Sequence, residues 1–113
     1  MDYKIIARKT FIKGIKQLSK RYASITDDYE RLLNKLENTP QLGTSLGGGL
    51  RKIRMPITSK GRGKSGGARV ITFTVIISVN EAEINLIAIY DKADRCSISK
   101  EEIEILLEKN GLK

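Results

Sequence analysis

Between residues 69 and 90 the chain is filled with β-branched and apolar side chains, in two runs, Arg69–Val79 and Glu83–Tyr90, broken only at Asn80-Glu81-Ala82. Two such runs around a short polar break predict an antiparallel strand pair. A lone hairpin is barely stable in water, so the rest of the chain must supply more strands and a covering layer. Two further strands are predicted at Tyr3–Ala7 and Leu50–Ile57; in the second, Arg51, Ile53 and Met55 alternate with Lys52 and Arg54. Residues two apart on a strand point the same way, so Lys52 and Arg54 project from one face.

The covering layer lies in residues 10–40. After Thr10, a predicted cap, Phe11, Ile15, Leu18 and Tyr22 recur at helical spacing, and Lys9, Lys13, Lys16, Lys20 and Arg21 occupy much of the remaining surface. A second helix is predicted from Thr26-Asp27-Asp28, whose acids suit a helix N-terminus, to just before Pro40, with Tyr29, Leu32, Leu33 and Leu36 inward. Gln41–Gly49 reads as a loop, and Thr58–Gly67 is too glycine-rich for regular structure. Ser99 and Glu102 have the spacing of a capping box, opening a last helix that docks through Ile103, Leu106 and Leu107. The expected order is β-α-α-β-β-β-α. It describes a two-layer α+β fold with a helical hairpin on one face of a mostly antiparallel four-stranded sheet. At 113 residues this is one domain, 1–113.

The inventory of reactive groups is short. The chain has no histidine and one cysteine, Cys96, which rules out a Ser-His-Asp hydrolase, a zinc enzyme of the usual ligand set and an internal disulfide. No metal and no cofactor are expected. No apolar run approaches the ~18–20 residues of a membrane span. Met1-Asp2-Tyr3-Lys4 lacks the apolar stretch of a signal peptide, so a cytoplasmic location is expected.

Charge says more. The net charge is +8, yet residues 41–69 alone hold seven Lys/Arg (Arg51, Lys52, Arg54, Lys60, Arg62, Lys64, Arg69) and no acid. A surface kept for solubility mixes both signs, whereas unneutralised positive charge suits a polyanion. Ser59-Lys60-Gly61-Arg62-Gly63-Lys64-Ser65-Gly66-Gly67 does not fit the nucleotide phosphate loop, because the first glycine of G-x-x-x-x-G-K-[ST] is missing and a strand follows. It suits an arm along a nucleic-acid backbone, with Arg51, Lys60, Arg62 and Lys64 as RNA-binding candidates. Tyr90, at the end of the last strand, can stack on a base or pass a proton.

Leu50-Arg51-Lys52-Ile53-Arg54, Gly61-Arg62-Gly63-Lys64-Ser65-Gly66-Gly67-Ala68-Arg69-Val70-Ile71 and Ile89-Tyr90-Asp91-Lys92 together resemble the RelE/HigB branch of the RelE/ParE toxins, over about four-fifths of the chain. The resemblance implies a RelE-like fold and the toxin half of a type II toxin–antitoxin pair, an endoribonuclease that cuts mRNA in the ribosomal A site. It implies a cognate antitoxin as partner, in a hetero-oligomer. It also implies a catalytic group: Lys52 and Arg54 match the family's paired cations, Arg69 its phosphate-contacting arginine, and Lys92 stands where a second arginine is usual. The family's more C-terminal tyrosine has no counterpart, since Ser97-Ile98 stand there, and Tyr90 is the substitute. Arg54 and Arg69 would stabilise the phosphorane, Lys52 would accept a proton, and Tyr90 would stack or protonate the leaving oxygen. The same fold family includes gyrase poisons of the ParE kind, and a non-catalytic nucleic-acid-binding module is the other alternative.

Overall fold

The computed structural model describes residues 1–60 and 66–113. Its strands are β1 (Asp2–Ala7), β2 (Thr44–Gly47), β3 (Leu50–Met55), β4 (Ala68–Ile76) and β5 (Glu81–Asp91). Its helices are α1 (Lys9–Arg21), α2 (Ile25–Asn38) and α3 (Lys100–Lys109). The class is α+β, and the strands form one mixed sheet in the order β1-β5-β4-β3-β2. β1 joins parallel to β5, and the other neighbours are antiparallel. Among the described residues no helix is long and apolar enough to cross a membrane.

Each helix forms for a readable reason. Phe11 and Leu18 of α1 and Ile25, Leu32 and Leu36 of α2 are buried at helical spacing. They meet Ile53, Met55, Val70, Ile84, Leu86 and Ile89 from one sheet face, and the rings of Phe11 and Tyr29 join the two helices at 5.4 Å between centroids. The capping box at α3 is present: the Glu102 amide donates to Ser99 Oγ at 3.1 Å, and the Ser99 amide donates to Glu102 Oε1 at 3.0 Å. Thr10 is not a cap. Arg8 holds that position, and the Thr10 hydroxyl donates to the Ile87 carbonyl at 2.5 Å while accepting from Asn110 Nδ2 at 2.8 Å.

Three features correct the sequence-based expectation. The sheet has five strands rather than four, because Thr44–Gly47 folds back on β3 within the stretch read as a loop. Gly47, Gly48 and Gly49, all at positive φ, make that reversal, and their composition hides the strand before them. The turn between β4 and β5 comes earlier than expected, with the Ile77 and Ser78 amides donating to the Glu81 carbonyl; Ile77 and Val79 are exposed turn residues despite their strand propensity. Finally, α3 packs on the sheet face opposite the hairpin, through Ile103 and Leu107 against Ile71, Ile87 and Ala88, so one end of the sheet is covered on both sides.

Candidate nucleic-acid interface

On β3, Lys52 and Arg54 share the face away from the hairpin, while Ile53 and Met55 enter the core. Arg54 pairs across to Arg69 of β4, and Arg69 pairs to Tyr90 of β5. Directly opposed residues point to the same side of a sheet, so Arg54, Arg69 and Tyr90 form one row across three strands. The third member depends on a bulge. Thr72 pairs with Leu86 and the adjacent Ile71 pairs with Ala88, which leaves Ile87 as an extra residue in β5. Ile84 and Leu86 face the hairpin core; past the bulge, Ala88 and Tyr90 face the α3 side. Unbroken alternation would have sent Tyr90 into the hairpin core.

The row runs from open to covered. Arg54 is exposed and Lys52 half-buried, and neither makes an ion pair among the described residues. Arg69 is 7% exposed, with Nη1 donating to the Ala68 carbonyl at 3.3 Å, and Tyr90 is 9% exposed. The Tyr90 hydroxyl is buried with no hydrogen-bond partner among the described residues. Arg95 lies over the Tyr90 ring, 5.5 Å from its centroid, and is fixed there by Nη2 donating to both Glu102 oxygens at 2.7 and 2.8 Å. Burial pushes the Tyr90 phenol above its ordinary value, with Arg69 and Arg95 pulling partly the other way. Tyr90 therefore stays protonated at neutral pH. A groove of about 410 Å³, lined by Lys13 and Gln17 of α1, Ile87–Tyr90 of β5 and Glu102 and Lys109 of α3, leads to this tyrosine.

The other sequence candidates are distributed differently. Arg51 projects from the opposite face to Lys52, its Nε donating to the Leu42 carbonyl at 3.1 Å and its Nη2 to Gly43 at 2.8 Å, which ties down the chain before β2. Lys60 is drawn inward, its Nζ 3.1 Å from Asp91 Oδ1 and 5.5 Å from the centre of the Tyr22 ring. Lys92 is half-buried just past β5, and its amide donates to the Gly67 carbonyl at 3.0 Å. Arg62 and Lys64 lie outside the described residues.

Sequence reasoning passed over two carboxylates. The side chain of Asp91 is fully buried and accepts from the Tyr22 hydroxyl at 2.6 Å, the Ala93 amide at 2.9 Å, Lys60 at 3.1 Å and Arg21 at 3.3 Å. Burial works to raise its pKa, but these donors outweigh it and the carboxyl sits below its ordinary value. Asp28 does the same for the turn after β3, accepting from Ser24, Arg31, the Thr58 amide and the Thr58 hydroxyl. Between them they clamp the single 3₁₀ turn Thr58–Lys60 from two sides. Arg95 was also missed. Asp91 stands beside Tyr90 in sequence, but its side-chain partners Lys60, Tyr22 and Arg21 are 31 to 70 residues away, and no local pattern marks them.

No protein-family model and no curated protein matches the chain. Its chemistry must therefore be read from the row itself. Two guanidiniums and a protonated phenol stand in line on one sheet face, with Arg54 open to a phosphodiester and Arg69 and the Tyr90 hydroxyl covered. None of them is a nucleophile.

Proposed function

We propose that this chain is a metal-independent endoribonuclease of the RelE/HigB kind, the toxin of a type II toxin–antitoxin pair, acting on mRNA in the ribosomal A site. The observation that supports this most is the register that sets Arg54, Arg69 and Tyr90 side by side on three neighbouring strands. The α+β architecture, with a helical hairpin behind the sheet, agrees with a RelE-like fold.

In this reading the nucleophile comes from the substrate. The RNA 2′-oxygen attacks the adjacent phosphorus, its proton passing to Lys52 or to water. The bond from phosphorus to the 5′-oxygen breaks, and Tyr90 protonates that oxygen, leaving a 2′,3′-cyclic phosphate and a 5′-hydroxyl. Arg54 and Arg69 stabilise the dianionic phosphorane by placing positive charge beside it. Lys92 adds positive charge past the end of β5. A cognate antitoxin, acidic or amphipathic, would neutralise the basic face, and the setting would be the cytoplasm.

A second reading has an observation in its favour. Arg69 and Tyr90 are both nearly buried, as expected of a non-catalytic nucleic-acid-binding protein in which they serve the fold. Inducing the chain alone and mapping RNA 5′ ends, with and without translation, separates the two. New 5′-hydroxyl ends in translated messages support cleavage, intact messages without growth inhibition would favour the non-catalytic reading, and growth inhibition with intact messages but broken DNA would favour a gyrase poison.

A further inference from the structure

Helix α1 contains no acidic residue, and its four lysines, Lys9, Lys13, Lys16 and Lys20, are all exposed. At 3.6 residues per turn they fall within an arc of about 60° and extend over about 16 Å, opposite the buried Phe11 and Leu18. None of the four forms an ion pair with another described residue. Arg21, which would extend the line, is bound to Asp91 and Asp94. We propose that this lysine stripe is a second polyanion surface, one that docks on the phosphate backbone of base-paired RNA without reading its sequence.

The arrangement works against the helix that carries it. Lys9 and Lys13, like Lys16 and Lys20, are like charges four residues apart, and Lys13 and Lys16 are three apart, spacings at which repulsion weakens a helix. Lys9 also stands in the first turn, where the helix dipole disfavours a cation and where α1 has no acid. The other two helices mix signs in the ordinary way, α2 with Asp27, Glu30, Arg31 and Lys35 and α3 with Lys100, Glu101, Glu104 and Lys109. An external polyanion removes the repulsion, because phosphates would sit between the lysines and release their own counterions.

The composition of the stripe selects among polyanions. Lysine is depleted from protein–protein interfaces, which favour arginine and aromatic anchors, and the stripe has neither. A basic amphipathic helix on a membrane must bury its apolar face in lipid, but here that face is committed to the sheet. Phosphate contact by lysine needs only a regular row of point charges. Two of the cations read from sequence as RNA contacts, Arg51 and Lys60, are tied to acceptors of the protein itself, so the binding affinity shifts to α1. Lys13 also lines the groove that leads to Tyr90, which places the stripe beside the candidate site rather than remote from it.

This inference shares with the proposed function only the choice of RNA as polyanion. It is tested with a blunt RNA duplex of about 16 base pairs, long enough to cross two successive minor grooves and unable to splay a nucleotide onto the Arg54–Arg69–Tyr90 row. Binding of the full chain is measured between about 50 and 200 mM salt for the wild type, for the variant with Lys9, Lys13, Lys16 and Lys20 all changed to Gln, and for the matching Arg variant. The Gln variant should bind more weakly, with its log–log salt slope shallower by about three. The Arg variant should keep the wild-type slope and melt with the wild type, and the Gln variant, freed of the like-charge spacing, should melt no lower than the wild type. An unchanged slope in the Gln variant overturns the proposal, as does an affinity loss without a slope change. Cleavage is scored separately: a slope loss in a protein that never cuts RNA would sink the nuclease reading and support the stripe.

Discussion

Arg69 and Tyr90 face each other across β4 and β5, and they share a side of the sheet because β5 carries Ile87 as one residue more than β4 supplies partners for. The neighbouring cation opposes the effect of burial on the phenol, favouring its ionised form. Arg69→Met keeps an unbranched apolar stem and removes the charge. The Tyr90 pKa, already above its ordinary value, should move further upward in this variant. Ultraviolet titration against a Tyr90→Phe reference checks it; a downward movement would show that the guanidinium does not act on the phenol.

The Arg95–Glu102 pair, together with the capping box, holds the Glu102 pKa down at about 2 against an ordinary 4.5, chiefly through the hydrogen bond from Arg95. A carboxyl depressed in the folded state contributes stability that is complete above its unfolded pKa and is lost as pH falls through the folded value. Acidification from about pH 5 to pH 2 should therefore loosen α3, and Glu102→Gln should remove part of that pH dependence. Denaturant melts of both proteins across this range, compared as slopes against pH, provide the measurement. Parallel slopes would refute the linkage.

Asp91 gathers the last residue of the 3₁₀ turn, the end of α1 and the end of β5 onto one buried carboxylate. Asp91→Ala leaves Lys60 and the Tyr22 hydroxyl without this acceptor; since Lys60 and Arg21 can turn to water, the loss should be about 1–3 kcal/mol. The same change at Asp94, whose partner Arg21 is also exposed, should lower stability by no more than about 1 kcal/mol. Equal losses for the two variants would mean that Asp91 is not the anchor its hydrogen bonds describe.

At Gly14, α1 packs tightly against β5. A Cβ built there would lie 2.7 Å from Ile89 Cγ2 and 3.2 Å from the Ile89 carbonyl oxygen. Gly→Ala inside a helix ordinarily stabilises by about 1 kcal/mol. Here the obstacle is a branched side chain pressed into the core beside main chain, and overpacking of that kind typically destabilises by about 1–3 kcal/mol. The net sign for Gly14→Ala is thus a loss, seen as a lower denaturation midpoint; a gain would show that α1 can move away from the strand.

These outcomes separate what local sequence determines from what it does not. The helical repeat of Phe11, Leu18, Leu32 and Leu36, the Ser99–Glu102 box and the β-branched runs after Arg69 are local signals, and the structure follows them. The side-by-side placement of Lys52 and Arg54 follows from period two alone. Tyr90 is different, because its direction depends on a bulge that answers to strand pairing and leaves no composition mark at Ile87. Strand β2 was hidden because glycines that make a tight reversal look like loop. Lys60 and Arg51 read as free cations because their acceptors, Asp91 and the Leu42–Gly43 carbonyls, become neighbours only on folding.

Two kinds of catalytic contribution are assigned to the row, and they can be separated by changing the leaving group. If Tyr90 donates a proton to the departing 5′-oxygen, Tyr90→Phe should slow cleavage by about 10²–10⁴-fold. The loss should be largely recovered on a substrate whose bridging 5′-oxygen is replaced by sulfur, since a thiolate leaves without protonation. Arg69→Ala removes charge stabilisation instead, so it should lose about 10²–10³-fold on both substrates, and Arg54→Ala should behave likewise. With its raised pKa, Tyr90 stays protonated through neutral pH, so the acid-dependent rate should fall only as pH rises through the phenol's own titration. Tyr90→Phe should abolish that alkaline limb. Equal loss on both substrates would assign Tyr90 to stacking or to the fold, and full activity in Arg69→Ala would remove the row from the chemistry altogether.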